Sequence, residues 1–183
     1  MSRQTTLTEI PAPTPDRVQR YSARPFPSYR YVPGLLPHPL RDPAGHSYGV
    51  KIVQAQGGRR DDWLYGIDLF NAFFFWEAHE AWEGLWSAAA KDSAERSLFQ
   101  GLIQIAAALL KIHVGVVDGA RTLAHEGCAK LAQAAAERRV LFGLDILLVE
   151  QSFRRYFRGL DRSQLPRVDD AVPVLRLQSA SVD

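Results

Sequence analysis

Leu98-Phe99-Gln100-Gly101-Leu102-Ile103-Gln104-Ile105-Ala106-Ala107-Ala108-Leu109-Leu110-Lys111-Ile112-His113 decides the fold class. Its apolar positions Leu98, Leu102, Ile105, Leu109 and Ile112 step by three and four, the period of a helix with one buried face; a half-buried strand would alternate by two. Asp92 and Ser93 stand where an N-cap belongs, and Gly115 where such a helix stops. Upstream, Asp61-Asp62 opens a second helical pattern that runs from about residue 63 or 66 to 89. Downstream, Asp118 can cap a helix over 119–139, whose inner stripe of Leu123, Ala124, Gly127, Cys128, Leu131 and Ala135 is small enough to let helices approach closely. A fourth helix over 145–158 presents Leu148, Phe153, Tyr156 and Phe157. The short connection 114–118 makes the second and third helices an antiparallel hairpin. No second copy recurs at a fixed period, which argues against a repeat solenoid. The pattern predicts an all-α fold: a compact bundle of about four main helices.

Proline and charge divide the chain. Nine of its eleven prolines lie at or before Pro43, and none falls between Ala44 and Leu165, so nothing there forbids long helices. Residues 1–60 carry nine Lys or Arg against Glu9, Asp16 and Asp42, a basic arm preceding an acidic body. Within the arm Tyr21, Phe26, Tyr29, Tyr31, Val32, Leu35, Leu36 and Tyr48 are too apolar for a free linker, so a Pro-rich N-terminal arm is expected to wrap on the bundle. Val50 to Val53 could form a short strand. The expected organisation is an arm over 1–60, a helical domain over 61–160 and an irregular tail over 161–183 carrying Pro166 and Pro173. The longest apolar run, Ile105 to Leu110, is far too short to span a membrane. With one cysteine, Cys128, and no apolar leader pattern in Met1 to Pro15, a reducing cytoplasm is the expected location.

Projected at about 100° per residue, Trp76, His79, Trp82, Glu83 and Trp86 share one face of the first long helix, with Glu80 at its border and Glu77 about 160° from His79. Burying that face would take an imidazole and a carboxylate out of water, which demands partners. Gln100, Gln104 and Lys111, on one face of the next helix, are the expected ones. The ordinary reading is a polar network pinning two helices in register. A sharper one is a divalent metal held by His79 and Glu83 at i and i+4, with His38 or His46 from the arm as third ligand and Glu80 as general base on a bound water. The zinc-protease spacing would need histidine where Glu83 stands, so no metal and no other cofactor is expected. Ser47, beside His46, lacks a glycine-framed nucleophile elbow, and Cys128 on its small-residue stripe reads as an inert core thiol.

These blocks also carry a resemblance. Leu69-Phe70-Asn71, Trp76-Glu77-Ala78-His79-Glu80-Ala81-Trp82-Glu83 with Trp86, Phe99-Gln100-Gly101-Leu102-Ile103-Gln104 with Ala106 to Leu109, and Gly119-Ala120 together resemble the domain of unknown function 309 family over about 65–131. The arm block from Tyr31-Val32-Pro33-Gly34 through Pro37-His38-Pro39 to Gly45-His46-Ser47 is similar to its longer bacterial members. The resemblance implies a compact helical fold without a settled activity, and marks His79, Glu80, Glu83, Gln100 and Gln104 as motif positions. Three functions compete. The first is a module binding a small molecule or a protein partner at a polar centre of His79, Glu83, Gln100 and Gln104, walled by Trp76, Trp82 and Trp86. The second is the metal-assisted hydrolase of His79, Glu80 and Glu83. The third is nucleic-acid binding through Arg20, Arg24, Arg30 and Arg41 interleaved with Tyr21, Phe26, Tyr29 and Tyr31, which the acidic body opposes. No pattern here commits the chain to one reaction.

Overall fold

The computed structural model describes residues 8–17, 19–50, 58–162 and 166–178. The strand anticipated at Val50 to Val53 falls largely outside them. Five α-helices run in order: α1 (Gly58–Asn71), α2 (Phe75–Ala88), α3 (Ala94–His113), α4 (Val117–Glu137) and α5 (Ile146–Tyr156). A two-strand hairpin, β1 (Val140–Leu141) against β2 (Leu144–Asp145), links α4 to α5. The fold is all-α, as the spacing predicts, and among the described residues no helix is long and apolar enough to cross a membrane.

The single helix expected over 63–89 is in fact two, α1 and α2. Phe74 N–H reaches back to Leu69 O and Phe73 N–H to Phe70 O, the paired closing bonds of a Schellman stop, with Phe73 at φ 65° where glycine is usual. A left-handed phenylalanine costs about 1–2 kcal/mol. What holds it there is burial: Phe73, Phe74 and Phe75 are all buried, and three consecutive residues of one straight helix would point at successive 100° steps, out of a single core. The α3 end uses the same pair of bonds, Val116 to Lys111 and Gly115 to Ile112, with glycine in the left-handed position as the sequence suggests.

α3 begins at the foreseen Ser93 cap, whose side chain accepts from Arg96 N–H, and Asp145 caps α5 by accepting from Leu148 N–H. Asp118 does not cap α4: the chain re-enters helix at Val117, which leaves Asp118 in the first turn, paired with Arg121. The small-residue stripe does bring α3 and α4 together. A methyl group on Gly101 would stand 3.0 Å from Gly127 O, and one on Gly127 would stand 3.0 Å from Gly101 O, so both positions require glycine. Trp82 lies at the centre, fully buried between Trp63 and Phe70, its indole pressed on Gly66, where any side chain would collide with it.

Two non-helical segments lie across α1 and α2. In the arm, Val32 is fully buried, Tyr31 is buried, and Tyr21 and Phe26 pack on the core, whereas Leu35 and Tyr48 are exposed. At the other end Val168, Val172 and Leu175 are buried. Both segments hang on polar side chains of α1. Asp68, with no exposure, accepts from Tyr21 N–H, Ser22 N–H and Arg20, and Asn71 exchanges two bonds with the Leu175 backbone.

Candidate functional site

α2 is buried on two sides by different material. Phe75, Ala78, Trp82 and Leu85, stepping by three and four, face the helical core. That line lies about 80° round the helix from the face read in the sequence, because Trp76 and Trp86 belong elsewhere. The opposite flank, which a helical wheel assigns to water, receives the arm. Hence Glu77 is buried and Glu83 exposed, the reverse of the expected arrangement.

Glu77 Oε1 accepts from Tyr31 N–H at 2.9 Å and faces His46 Nε2 at 3.1 Å. The other ring nitrogen of His46, Nδ1, is 2.7 Å from Ser47 Oγ. Both His46 and Glu77 side chains are only 5% exposed. In the neutral imidazole the nitrogen facing an ionised Glu77 carboxylate carries the proton, so Nε2 donates, Nδ1 accepts, and the Ser47 hydroxyl donates to Nδ1. The arm fixes this ring tightly. Tyr29 OH accepts His46 N–H and donates to Pro37 O, and the Tyr29 ring lies edge-on to the imidazole at 4.6 Å. Gly45 has no room for a side chain, which would strike the His38 and Pro39 carbonyls, so the turn delivering His46 depends on glycine. Glu77 Oε2 is buried and has no hydrogen-bond partner among the described residues. The nearby Arg30 guanidinium, held by Ala72 O, is pushed below its ordinary pKa by burial, and Glu77 opposes that shift.

Above this chain of bonds opens a cleft of about 640 Å³ between the arm and α1–α2. Leu40, Tyr65, Leu69 and Trp76 belong to its apolar lining; His46, Ser47, Glu77 and Glu80 line it as well, with the charged Arg24, Arg59 and Asp62. Trp76 also closes a three-ring cluster with Tyr31 and His38, centroids 5.2–5.4 Å apart.

The remaining residues of interest disperse. His79, Glu80 and Glu83 bring ligand atoms within 4.8 Å of one another, with His79 Nδ1 at 3.3 Å from Glu80 Oε1, too poorly aligned for a hydrogen bond. The arm histidines do not join them: His46 is engaged at both nitrogens, and His38 Nδ1 accepts Leu40 N–H. Gln104 turns to Glu126 on α4, Gln100 is half-buried on α3, and Lys111 is exposed. Trp82 is core; Trp86 lies under the Arg96 guanidinium at 4.2 Å. Burial pushes the Cys128 thiol up to about 11, which leaves it protonated and inert at neutral pH. Of the four arginines considered for nucleic acid, Arg20 pairs with Asp68 over the Phe26 ring, Arg24 with Asp62 over Tyr65, and Arg30 stacks on Phe74, so three of the four are engaged within the chain.

Asp68 and Asn71 make polar contacts not anticipated from the sequence, Glu77 was expected to face water, and Ser47 was set aside for want of a glycine-framed elbow. For three of them a signal existed: they are the polar residues embedded in the otherwise apolar run from Gly66 to Ala78. Polar groups in such a run must be answered by backbone from outside the helix.

Fold and site together define a small helical protein whose buried polar centre is completed by a non-helical arm. Its central helices carry a known signature: residues 63–123 match the family model described as Domain of unknown function (DUF309), which bears out the resemblance in the sequence. The match spans α1 to the start of α4 and includes Glu77, while Tyr31, His46 and Ser47 lie outside it. No curated protein matches the chain.

Proposed function

We propose that this chain binds a small molecule in the cleft between the arm and α2. The observation that carries the reading is the cleft itself: its roughly 640 Å³ lies inside the usual range of ligand sites, and its lining mixes apolar side chains with polar and charged groups. The polar centre moves accordingly from His79, Glu83, Gln100 and Gln104 to Glu77, His46, Ser47 and Glu80, and of the three tryptophans only Trp76 is a wall. A thermal-shift screen of amphipathic metabolites tests it, with Trp76 fluorescence as second readout. A ligand at a hundredfold its Kd stabilises by about 2.7 kcal/mol. Ala81 lines the cleft, so Ala81→Phe should fill it and abolish the shift. Shifts that persist unchanged in Ala81→Phe, or a screen without any hit, would remove the reading.

A second reading is favoured by the grouping of His79, Glu80 and Glu83 within 4.8 Å: a divalent cation held from one helix face, as the hydrolase hypothesis requires. Glu80 would then serve as a ligand rather than as the general base. Manganese or zinc should raise the melting temperature of the wild type and leave His79→Gln unmoved. Equal responses of the two proteins would exclude it.

A further inference from the structure

We propose that Ser47 is an activated nucleophile, its hydroxyl poised by the His46–Glu77 pair to take an acyl or phosphonyl group from an electrophile seated in the cleft. This goes beyond ligand binding and relies on that reading only for the cleft. Three observations carry it. The hydrogen-bond chain Ser47 Oγ to His46 Nδ1 (2.7 Å), then His46 Nε2 to Glu77 Oε1 (3.1 Å), is the nucleophile–base–orienter order that hydroxyl activation needs. The base and its carboxylate are dry, each side chain 5% exposed, while Ser47 lies in the cleft wall. The imidazole cannot turn: Tyr31 N–H fixes the carboxylate, Tyr29 packs the ring, and Gly45 sets the backbone. The carboxylate fixes the tautomer that leaves Nδ1 free to accept the serine proton.

The step balances. Ser47 Oγ attacks the carbonyl carbon of an ester as its proton passes to His46 Nδ1. The carbon–oxygen bond to the leaving alcohol breaks, and that oxygen takes the proton back from Nδ1, leaving acyl-Ser47. Water, deprotonated by the same nitrogen, then releases the carboxylic acid and regenerates the hydroxyl. Apolar walls of Leu40, Leu69 and Trp76 suit an ester with an apolar acyl group. The backbone N–H groups of Ser47, Tyr48 and Val50 are already donated to Pro39, Gly45 and Ser47 carbonyls and supply no oxyanion hole. The substrate class is therefore activated esters, not amides, with slow turnover.

The test is covalent labelling of the full chain with an alkyl fluorophosphonate, in which Ser47 Oγ forms the O–P bond, fluoride leaves, and the hydroxyl proton passes to His46 Nδ1 and on to solvent. Intact mass should show one adduct per chain, mapped to the peptide bearing Ser47 and absent in Ser47→Ala. That variant keeps the His46–Glu77 contact and loses only the Ser47 bond to Nδ1, so its melting temperature should fall by far less than that of Glu77→Ala. Glu77→Gln and His46→Gln should label at least tenfold more slowly. Exposed Ser28 on the same arm is the control for indiscriminate reaction. Labelling at Ser28 equal to Ser47, or no adduct at all, overturns the proposal. A cleft ligand that still shifts the melting temperature of a protein that takes no label would sink the nucleophile alone and leave the binding reading standing.

Discussion

Replacing Glu77 by alanine should cost far more than replacing Glu83, although the two carboxylates lie on the same helix six residues apart. In the folded protein Glu77 Oε1 satisfies two buried donors, Tyr31 N–H and the His46 ring, and the alanine variant leaves both unpaired. Each unsatisfied buried donor costs about 1–3 kcal/mol. Relief of the unpartnered Oε2 offsets part of this, so the net loss should be about 2–4 kcal/mol. For a chain of this length that corresponds to a fall in melting temperature of about 5–15 °C. Glu83 is exposed and should stay within about 0.5 kcal/mol of wild type. Urea unfolding at neutral pH, followed by far-ultraviolet circular dichroism, gives both midpoints. Limited trypsin digestion adds the location: loss of the anchor should speed cleavage at exposed Arg41 in the arm. Equal midpoints for the two variants would mean that the arm does not rest on α2 as described.

Three other outcomes follow from the same packing. Gly127→Ala should destabilise by about 1–3 kcal/mol, since its methyl would lie 2.9 Å from Ile105 and 3.0 Å from Gly101 O; a wild-type urea midpoint would contradict the close approach of α3 and α4. Asn71→Ala removes both bonds to the Leu175 backbone, 2.8 and 2.9 Å, and should cost about 2 kcal/mol while raising amide exchange at Leu175; unchanged exchange there would refute the anchoring. Asp145 is held below the ordinary carboxylate pKa, first by Leu148 N–H and then by Arg139, so its folded value lies below its unfolded one. Its stabilisation is therefore full above the unfolded pKa and lost as pH falls through the lowered folded pKa. Asp145→Asn should flatten the acid limb of the melting-temperature curve below about pH 5, and parallel curves would count against the cap.

How much of this was legible depends on what answers each residue. The three-and-four stepping from Leu98 to Ile112 is answered by other helices, so periodicity alone reveals α3, its Ser93 cap and its Gly115 stop. The close approach of α3 and α4 was equally readable, because small side chains at Gly127 and Cys128 have few other uses on a buried stripe. The break at Phe73 was not, since the chain stops a helix there without glycine or proline, and what permits a left-handed phenylalanine is burial of three neighbouring rings. Glu77 was hidden for a related reason. A helical wheel allots one side of a helix to protein and the other to water, whereas α2 has helices on one side and the arm on the other. The aromatic weight of Trp76 and Trp86 then drew the inferred inner face toward His79 and Glu83.

The three polar anchors of the inner helices differ in how completely they are answered. Asp68 uses both oxygens, taking Tyr21 N–H on one and Ser22 N–H with Arg20 on the other. Asn71 is matched at both ends by one residue, Leu175. Both are saturated by backbone or a fixed guanidinium, the arrangement expected of groups whose work is to hold chain segments in place. Glu77 departs from that pattern on two counts: its second oxygen has no partner among the described residues, and one of its two donors is an imidazole ring that passes the connection on to a hydroxyl in the cleft wall. Anchoring the arm would be served as well by a second backbone N–H in place of His46. An imidazole there, bonded on one side to a carboxylate and on the other to Ser47, adds the ability to move a proton, and Glu77 stands at the cleft where that ability would have a use.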